Sequence, residues 1–242
     1  MSGLDLVRLE LETCLVMVAA HRFTHENSPD APPGPIVAIF GCAEGHVAAV
    51  RASVDDALAE RVLERVAASP AASGDLGPPG WAPEIAALVG VDPAALGGGP
   101  AWRLPNGQAF PHPAPIVAGE SEAGVAMLAR FERDGMPPAL VEAGYVDTGE
   151  LWAPWCAAMA GEEVAALCCA ARLGDRGAEA GLYTFAPFRG QGYGAAVTAA
   201  WSRLPSLAKR TLFYSTQWTN RSSIAVTRRL GLPRIGWSLR IG

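Results

Sequence analysis

Six residues in the last quarter of the chain, Arg189-Gly190-Gln191-Gly192-Tyr193-Gly194, have the composition of a phosphate-binding loop. Glycines allow backbone amides to approach an anion, and the N-terminal end of a following helix adds a positive partial charge. The apolar spacing on either side predicts a strand over 178–185 and a helix over 192–204. We therefore expect this segment to bind a phosphate or pyrophosphate group between a strand and a helix.

Glu179 is the side chain that we expect to act as a general base. It is the last acidic residue of the chain and lies on the predicted strand before the glycine loop, where its carboxylate can take a proton from a bound ligand through water. An ion pair with a nearby arginine is the alternative role. Because neighbouring residues of a strand face opposite sides, Glu179 and Ala178 point in opposite directions unless a bulge shifts the register.

Asn220 is predicted to begin a helix, because its side chain can accept the free amide hydrogens of a first turn. Gly231 stands at the expected C-terminal end, and Arg228 and Arg229 precede it, where positive side chains face the negative end of the helix dipole. A short strand is predicted before this helix, over 212–214, and another after it, over 235–241. The chain is thus expected to end in a strand–helix–strand–helix–strand order.

Two classes of protein use a glycine loop of this kind. As Gly190-x-Gly192-x-x-Ala195 the loop satisfies the dinucleotide-binding fingerprint, which would indicate an oxidoreductase that depends on a dinucleotide. That fingerprint requires an acidic residue about 20 positions later to hold a ribose. No acid follows Glu179, so this interpretation is the less favoured one.

Written as Arg-x-x-Gly-x-Gly, residues 189–194 resemble the coenzyme A pyrophosphate loop of the GNAT superfamily, the GCN5-related N-acetyltransferases. A helix that begins with an asparagine follows this loop in that family, and Asn220-x-x-Ser223 resembles its start. Leu230-Gly231-Leu232 resembles the end of the same helix. The resemblance covers residues 115–242 and is closest to a subgroup with a long N-terminal half. It implies a GNAT-like fold for this region and acetyl-CoA as co-substrate.

The resemblance also implies which residues bind coenzyme A. The end of the strand would lie along the pantetheine arm, the loop would hold the pyrophosphate, and the asparagine helix would complete the site. The residues implied are Leu182, Tyr183, Thr184, Phe185, Arg189, Gly190, Gln191, Gly192, Tyr193, Gly194, Ala195, Asn220 and Ser223.

The sequence departs from the pattern of the family at two catalytic positions. The catalytic glutamate of relatives aligns with Ala178, one residue before Glu179, and the tyrosine that protonates the leaving thiolate aligns with Thr227. A threonine hydroxyl is too weak an acid to replace a tyrosine readily. We therefore expect Tyr214 or Ser215 to take over, or the thiolate to leave without a dedicated acid.

Proline and glycine divide the chain into an N-terminal segment over 1–100, an ordered junction over 101–114 and the GNAT-like domain over 115–242. The fold class predicted is α+β, a mixed α/β arrangement with a central mixed sheet flanked by helices in the C-terminal domain. The N-terminal segment is expected to be a smaller α+β unit, either a cover for the substrate site or a degenerate GNAT-like copy. The other predicted elements are helices over 3–23, 55–68, 120–133 and 139–145, a hairpin with arms at 36–40 and 47–50, strands over 155–160 and 164–171, and a loose stretch over 97–115.

Charge is distributed unevenly along the chain. Residues 1–180 contain all 24 acidic residues and have a net charge of −14, whereas residues 181–242 contain nine basic residues and no acid. The two parts are expected to attract each other, with the aromatic residues Trp102 and Phe110 holding the junction against both. The basic region lacks the interleaved aromatic residues of a nucleic-acid surface, so we expect no nucleic-acid partner.

The remaining expectations concern partners, location and metals. No apolar run approaches the ~18 residues of a membrane span, and acids near the N-terminus do not suit a signal peptide. We therefore expect a cytoplasmic protein with no membrane partner. We also expect it to be a monomer or a homodimer. The five cysteines lack Cys-x-x-Cys spacing and are expected to be reduced and buried. His21 and His25 are four residues apart on a predicted helix but lack a third ligand, so no metal site is expected.

The leading hypothesis is direct transfer of an acetyl group from acetyl-CoA to a primary amine of a small molecule. A non-catalytic protein that binds acyl-CoA or a protein partner would keep the glycine loop and lack a working base, and the departures at Ala178 and Thr227 leave this alternative open. The dinucleotide-dependent oxidoreductase is the third possibility.

Overall fold

A computed structural model describes residues 1–75 and 77–242 of the chain, which form seven α-helices and eleven β-strands. The helices are α1 (Gly3–Cys14), α2 (Asp56–Ala67), α3 (Ala82–Leu88), α4 (Glu122–Asp134), α5 (Pro138–Glu142), α6 (Tyr193–Trp201) and α7 (Arg221–Leu230). The strands are β1 (Leu15–Ala19), β2 (Arg22–Glu26), β3 (Val37–Cys42), β4 (Gly45–Arg51), β5 (Gly97–Leu104), β6 (Ile116–Ala118), β7 (Cys156–Ala160), β8 (Glu163–Leu173), β9 (Gly177–Thr184), β10 (Thr211–Ser215) and β11 (Arg234–Ile241).

These eleven strands form one mixed sheet in the order β1-β2-β4-β3-β11-β5-β10-β9-β8-β7-β6. β5 lies between β10 and β11 and is antiparallel to both. β11, the last strand of the chain, also pairs with β3. The N-terminal and C-terminal parts of the chain are therefore interleaved in the middle of the sheet. The predicted fold class, α+β with a mixed sheet flanked by helices, is confirmed.

The parallel strands β9 and β10 pair only at their beginnings. Their register joins Gly177–Glu179 with residues 211–213, after which β9 continues to Thr184 without a partner on this side. The other edge of β9 is paired with β8 along the whole strand. A gap therefore opens in the sheet immediately after Glu179.

Helices cover both faces of the sheet beside this gap. α6 packs on β7, β8 and β9, and every residue from Gly194 to Trp201 is buried, because the helix is apolar on all sides. On the opposite face, Phe131 of α4 and Leu140 of α5 pack in an apolar cluster with Trp155. α1 also packs against β9, so a helix from the N-terminal segment covers the strand that carries the predicted base. No helix in the part of the chain described here is long and apolar enough to cross a membrane.

Acids of the N-terminal segment form ion pairs with arginines of the C-terminal part. The pairs are Glu12–Arg176, Glu26–Arg172, Glu26–Arg240 and Asp75–Arg234. In the junction Trp102 is buried, and Phe110 packs against the same apolar cluster as Trp102. Two of the ion pairs, Glu26–Arg240 and Asp75–Arg234, join the acidic residues 1–180 to the basic residues 181–242, and the other two lie within 1–180.

The predicted helix over 3–23 is wrong beyond Cys14. The chain becomes extended at Leu15 and forms the β1–β2 hairpin, in which the β-branched Val16 and Val18 favour a strand. His21 and His25 therefore lie on a hairpin and not on one face of a helix. The Nδ1 atom of His21 is 2.8 Å from the carbonyl oxygen of Ala48, which is a hydrogen-bond distance.

The loose stretch predicted over 97–115 is wrong in its first half, because Gly97–Leu104 forms β5. Three consecutive glycines argue for a loop when only local propensity is considered. Here they permit close packing, since a Cβ atom on Gly98 would collide with the backbone of Ser238 and one on Gly99 would collide with the backbone of Thr216. The glycines thus allow β5 to fit between its neighbours.

Candidate active-site groove

A groove connects the glycine loop with Glu179. It consists of three adjoining cavities of about 130, 270 and 430 Å³, which we name the loop cavity, the slot and the inner cavity. The loop cavity and the slot share Thr184, Arg189, Ser222 and Val226. The slot and the inner cavity share Leu182, Asn220 and Ser223. The groove therefore runs from the loop, through the gap where β9 and β10 part, to a carboxylate.

The loop cavity is formed by the glycine loop and the first turn of α6. Gly190 and Gly192 have φ angles of 80° and 100°, in the left-handed region that favours glycine. No side chain caps α6, and among the residues described no acceptor binds the amides of Tyr193, Gly194 and Ala195. Free amides at a helix N-terminus are suited to an anion.

Two arginines support this loop. The Nε atom of Arg189 donates a hydrogen bond to the carbonyl oxygen of Thr184 at 3.1 Å, and an Nη atom of Arg229 donates to the carbonyl oxygen of Gly190 at 2.9 Å. Both side chains line the loop cavity. They fix the loop backbone and add positive charge where the amides are free.

The slot lies between β9 and the first turns of α7. From Leu182 to Thr184, the edge of β9 that faces the slot has no strand partner in the described part of the chain. The Oδ1 atom of Asn220 caps α7 by accepting a hydrogen bond from the amide of Ser223 at 3.1 Å. An extended ligand that contains amide groups can pair with such an open edge as an added strand would.

Glu179 lies in the inner cavity. One carboxylate oxygen accepts a hydrogen bond from the hydroxyl of Ser215, and the other accepts one from the thiol of Cys14 at 3.6 Å. Ala178 is fully buried in the apolar cluster beneath α6, on the other face of the sheet. A β-bulge at Ala171 of β8 lies opposite Glu179. In this chain the carboxylate that reaches the groove therefore belongs to Glu179.

The groups around Glu179 favour their neutral forms. Glu10 is fully buried one helical turn before Cys14, and neither of its carboxyl oxygens has a partner in the described residues. Burial, and secondarily the charge of Glu179, raises the pKa of Glu10 well above its usual range. The same two causes, in the same order, raise the pKa of the Cys14 thiol, which therefore stays protonated as a donor to Glu179.

Tyr214 lies where the slot meets the inner cavity. Its hydroxyl oxygen is 2.6 Å from the hydroxyl oxygen of Ser223, and the residue is 1% exposed. Burial raises the pKa of Tyr214, so the hydroxyl stays protonated as a hydrogen-bond donor. Thr227 is buried and its hydroxyl donates to the carbonyl oxygen of Ile224 at 2.9 Å, so its hydrogen-bonding capacity is used within α7.

The structure brings most of the predicted site residues together. Those that line the groove are Glu179, Leu182, Tyr183, Thr184, Arg189, Gly190, Gly192, Gly194, Ala195, Tyr214, Ser215, Asn220 and Ser223. Phe185 packs in the apolar cluster under α4, the side chain of Gln191 donates to the carbonyl oxygen of Pro187, and Tyr193 packs against His112. Lining the groove is a matter of position only, and the catalytic and cofactor-binding roles of all these residues stay predictions.

Other groove residues were missed by the sequence interpretation. One face of α7 carries Ser222, Val226 and Arg229, which are four and three residues apart. This helical spacing could have identified them from the sequence as neighbours on the side of the helix that begins with Asn220. Arg172 and Arg240 of the inner cavity had no such signal. They reach the cavity through strand pairings that no local pattern predicts.

Comparisons with known proteins identify structural neighbours only. No protein-family model matches the chain, and the search of curated proteins also found no match. An acetyltransferase from the GNAT family of Colwellia psychrerythraea has a TM-score of 0.43 and 13% identity, covering 81% of this chain and 76% of its own. A tandem GNAT protein from the clavulanic acid biosynthesis pathway has a TM-score of 0.43 and 13% identity, covering 88% and 77%.

A GCN5-related N-acetyltransferase from Kribbella flavida has a TM-score of 0.38 and 16% identity, covering 58% of this chain. This chain spans only 55% of that structure's length.

Proposed function

We propose that the chain is an acyl-CoA-dependent N-acyltransferase that transfers an acetyl group from acetyl-CoA to a primary amine of a small molecule. The observation that carries the proposal is the continuity of the groove. An anion-binding loop lies at one end, a carboxylate lies at the other, and the gap between two parallel strands joins them. A dinucleotide-dependent oxidoreductase would instead require an acid beyond the loop, and none follows Glu179.

The residues along the groove suit the parts of coenzyme A in the order in which the cofactor carries them. The free amides of α6, with Arg189 and Arg229, suit the pyrophosphate. The open edge of β9 suits the two amides of the pantetheine arm, which would pair with its backbone. The slot opens beside Tyr214 into the inner cavity, where the thioester would meet the amine.

The chemistry proposed is direct attack. The neutral amine nitrogen forms a bond to the thioester carbonyl carbon, the carbon–sulfur bond breaks, and the extra proton of this nitrogen passes through water to the released thiolate. Glu179 accepts the ammonium proton, directly or through Ser215 or a water molecule, because only the neutral amine is nucleophilic. Tyr214 donates a hydrogen bond to the departing thiolate. Because its pKa is raised, Tyr214 acts by this hydrogen bond and is a poor donor of a whole proton.

Coenzyme A binding to a charge variant tests this proposal. Ser222 is exposed and lines both the slot and the loop cavity, so Ser222→Glu places a carboxylate beside the expected pyrophosphate. An acid in the first turn of α7 interacts favourably with the helix dipole, so the fold should be retained. We expect calorimetry to show coenzyme A affinity reduced about 10-fold or more. Ser206→Glu, at an exposed position outside the groove, is the matched control.

Two results would contradict the proposal. Equal coenzyme A affinity of wild type and Ser222→Glu would remove the loop cavity as the pyrophosphate site. Binding of coenzyme A without thiol release from acetyl-CoA, in the presence of any amine, would instead support the non-catalytic alternative.

A further inference from the structure

The inner cavity contains more charged groups than the removal of a proton requires. Besides Glu179, it is lined by the guanidinium groups of Arg172 and Arg240. Arg172 is paired with Glu179 across β8 and β9, and Arg240 comes from β11 at the end of the chain. In the described residues neither arginine forms an ion pair with Glu179. Both signs of charge are therefore available separately in one cavity.

The two arginines share a single carboxylate. Glu26, which is 4% exposed, accepts Arg172 on one oxygen and Arg240 on the other. The neighbouring Glu10 favours its neutral form and does not supply a second negative charge. Of the carboxylates described near this cavity, only Glu26 forms an ion pair with the two arginines, because Glu179 forms one with neither. Among the described residues, one of the two positive charges therefore has no carboxylate of its own in direct contact and is open to an anionic ligand.

The guanidinium groups also have donors to spare. In Arg172 one Nη atom donates to the carbonyl oxygen of Ala171 at 2.7 Å and the other to Glu26, while the buried Nε atom has no partner in the residues described. In Arg240 only one Nη atom is engaged, again with Glu26, among these residues. The side chain of Arg240 is 37% exposed, so a ligand in the cavity can reach it. Guanidinium forks bind carboxylates through paired hydrogen bonds.

We propose that the acceptor of this site is an amine that carries a carboxylate, such as an amino acid. Its carboxylate binds to Arg240 and Arg172, and its amino group lies near Glu179. The volume of the inner cavity, about 430 Å³, is in the range of small-molecule sites, roughly 300–1,000 Å³. This inference rests on the proposed acyltransferase function and specifies its substrate class.

Matched pairs of acceptors test the inference. Free amino acids and their carboxamides present the same amine and differ in the negative charge. With the full-length protein and acetyl-CoA, thiol release should give kcat/KM values about 10- to 100-fold higher for the acid than for its amide, as expected for a charge-assisted contact. Arg240→Gln should reduce this ratio to about threefold or less.

A control variant and a binding measurement separate the possible results. Arg176→Gln removes an arginine from an exposed ion pair with Glu12, outside the groove, and should retain the full acid-to-amide ratio. Coenzyme A affinity and the melting temperature of Arg240→Gln report whether the groove and the fold are intact.

Carboxamides or simple amines accepted as well as the acids would overturn the inference and leave the acyltransferase proposal standing. An acid-to-amide ratio that survives Arg240→Gln would overturn the role of Arg240. Coenzyme A binding with no amino acid accepted would also overturn the inference. A wild-type protein that fails to bind coenzyme A would overturn the proposed function itself.

Discussion

Glu179 is held by residues from opposite ends of the chain. Ser215 is on β10, whereas Cys14 is at the end of α1, and both donate hydrogen bonds to the same carboxylate. These two hydrogen bonds fix the orientation of the carboxylate in the inner cavity. Its position directly before the strands part also places it in the inner cavity, into which the slot opens. These two features, and no local motif, distinguish Glu179 from the other acids of the chain.

Removal of this carboxylate should affect turnover and spare cofactor binding. Glu179→Gln keeps the shape of the side chain and eliminates the base, so we expect kcat to fall about 10²-fold or more at neutral pH. Coenzyme A affinity should change little, because Glu179 lies beyond the slot. Glu163→Gln, the same change at an exposed position of β8, is the control. An unchanged kcat with the best acceptor would return Glu179 to a structural role.

At the scale of elements, the sequence predicted what depends on local chemistry. The glycine loop, the cap at Asn220 and the helix end at Gly231 lie where their residue types require them, since each is decided within a few residues. β5 and the β1–β2 hairpin were missed because their strand state depends on partners far away in sequence. The same reason hid Arg240 and Cys14 from any motif of the site, since both reach the inner cavity through the pairing and packing of distant elements.

Glu10 of α1 makes the stability of the fold depend on pH, because it is a buried carboxyl whose pKa is raised in the folded state. Such a group stabilises the fold fully below its unfolded pKa, about 4.3, and this contribution is lost as pH rises through the folded pKa. Glu10→Gln supplies a neutral side chain at every pH. We therefore expect the urea midpoint of the variant to exceed that of wild type at pH 8, with a smaller difference at pH 5.

Glu12→Gln, on the same helix and exposed, controls for general effects of charge removal. A midpoint of Glu10→Gln below that of wild type at pH 8 would mean that the ionised carboxylate of Glu10 stabilises the fold.

At the scale of the whole molecule, the sheet is continuous because the two parts of the chain exchange strands. β5 of the N-terminal part supplies the central strand between β10 and β11, and β11 of the C-terminal part pairs with β3. The inner cavity lies at this exchange, with Cys14 and Phe40 on its wall together with Arg240. The site is therefore expected to depend on both parts, although residues 115–242 contain the whole GNAT resemblance.

Cutting the chain in the junction tests this dependence. Residues 115–242 alone lack β5, so β10 and β11 lose their common partner and expose unpaired edges, and we expect this fragment to aggregate or to fail to bind coenzyme A. Co-expression of residues 1–113 with 114–242 restores every strand and should give a 1:1 complex that binds coenzyme A. The pair 1–96 with 114–242 lacks only β5 and the connecting residues; it retains the pairing of β3 with β11 but not the strand between β10 and β11, and should bind coenzyme A more weakly than the first pair. A monomeric 115–242 fragment with the coenzyme A affinity of the intact chain would show that the exchanged strand is dispensable, because the gap between β9 and β10 would then form without it.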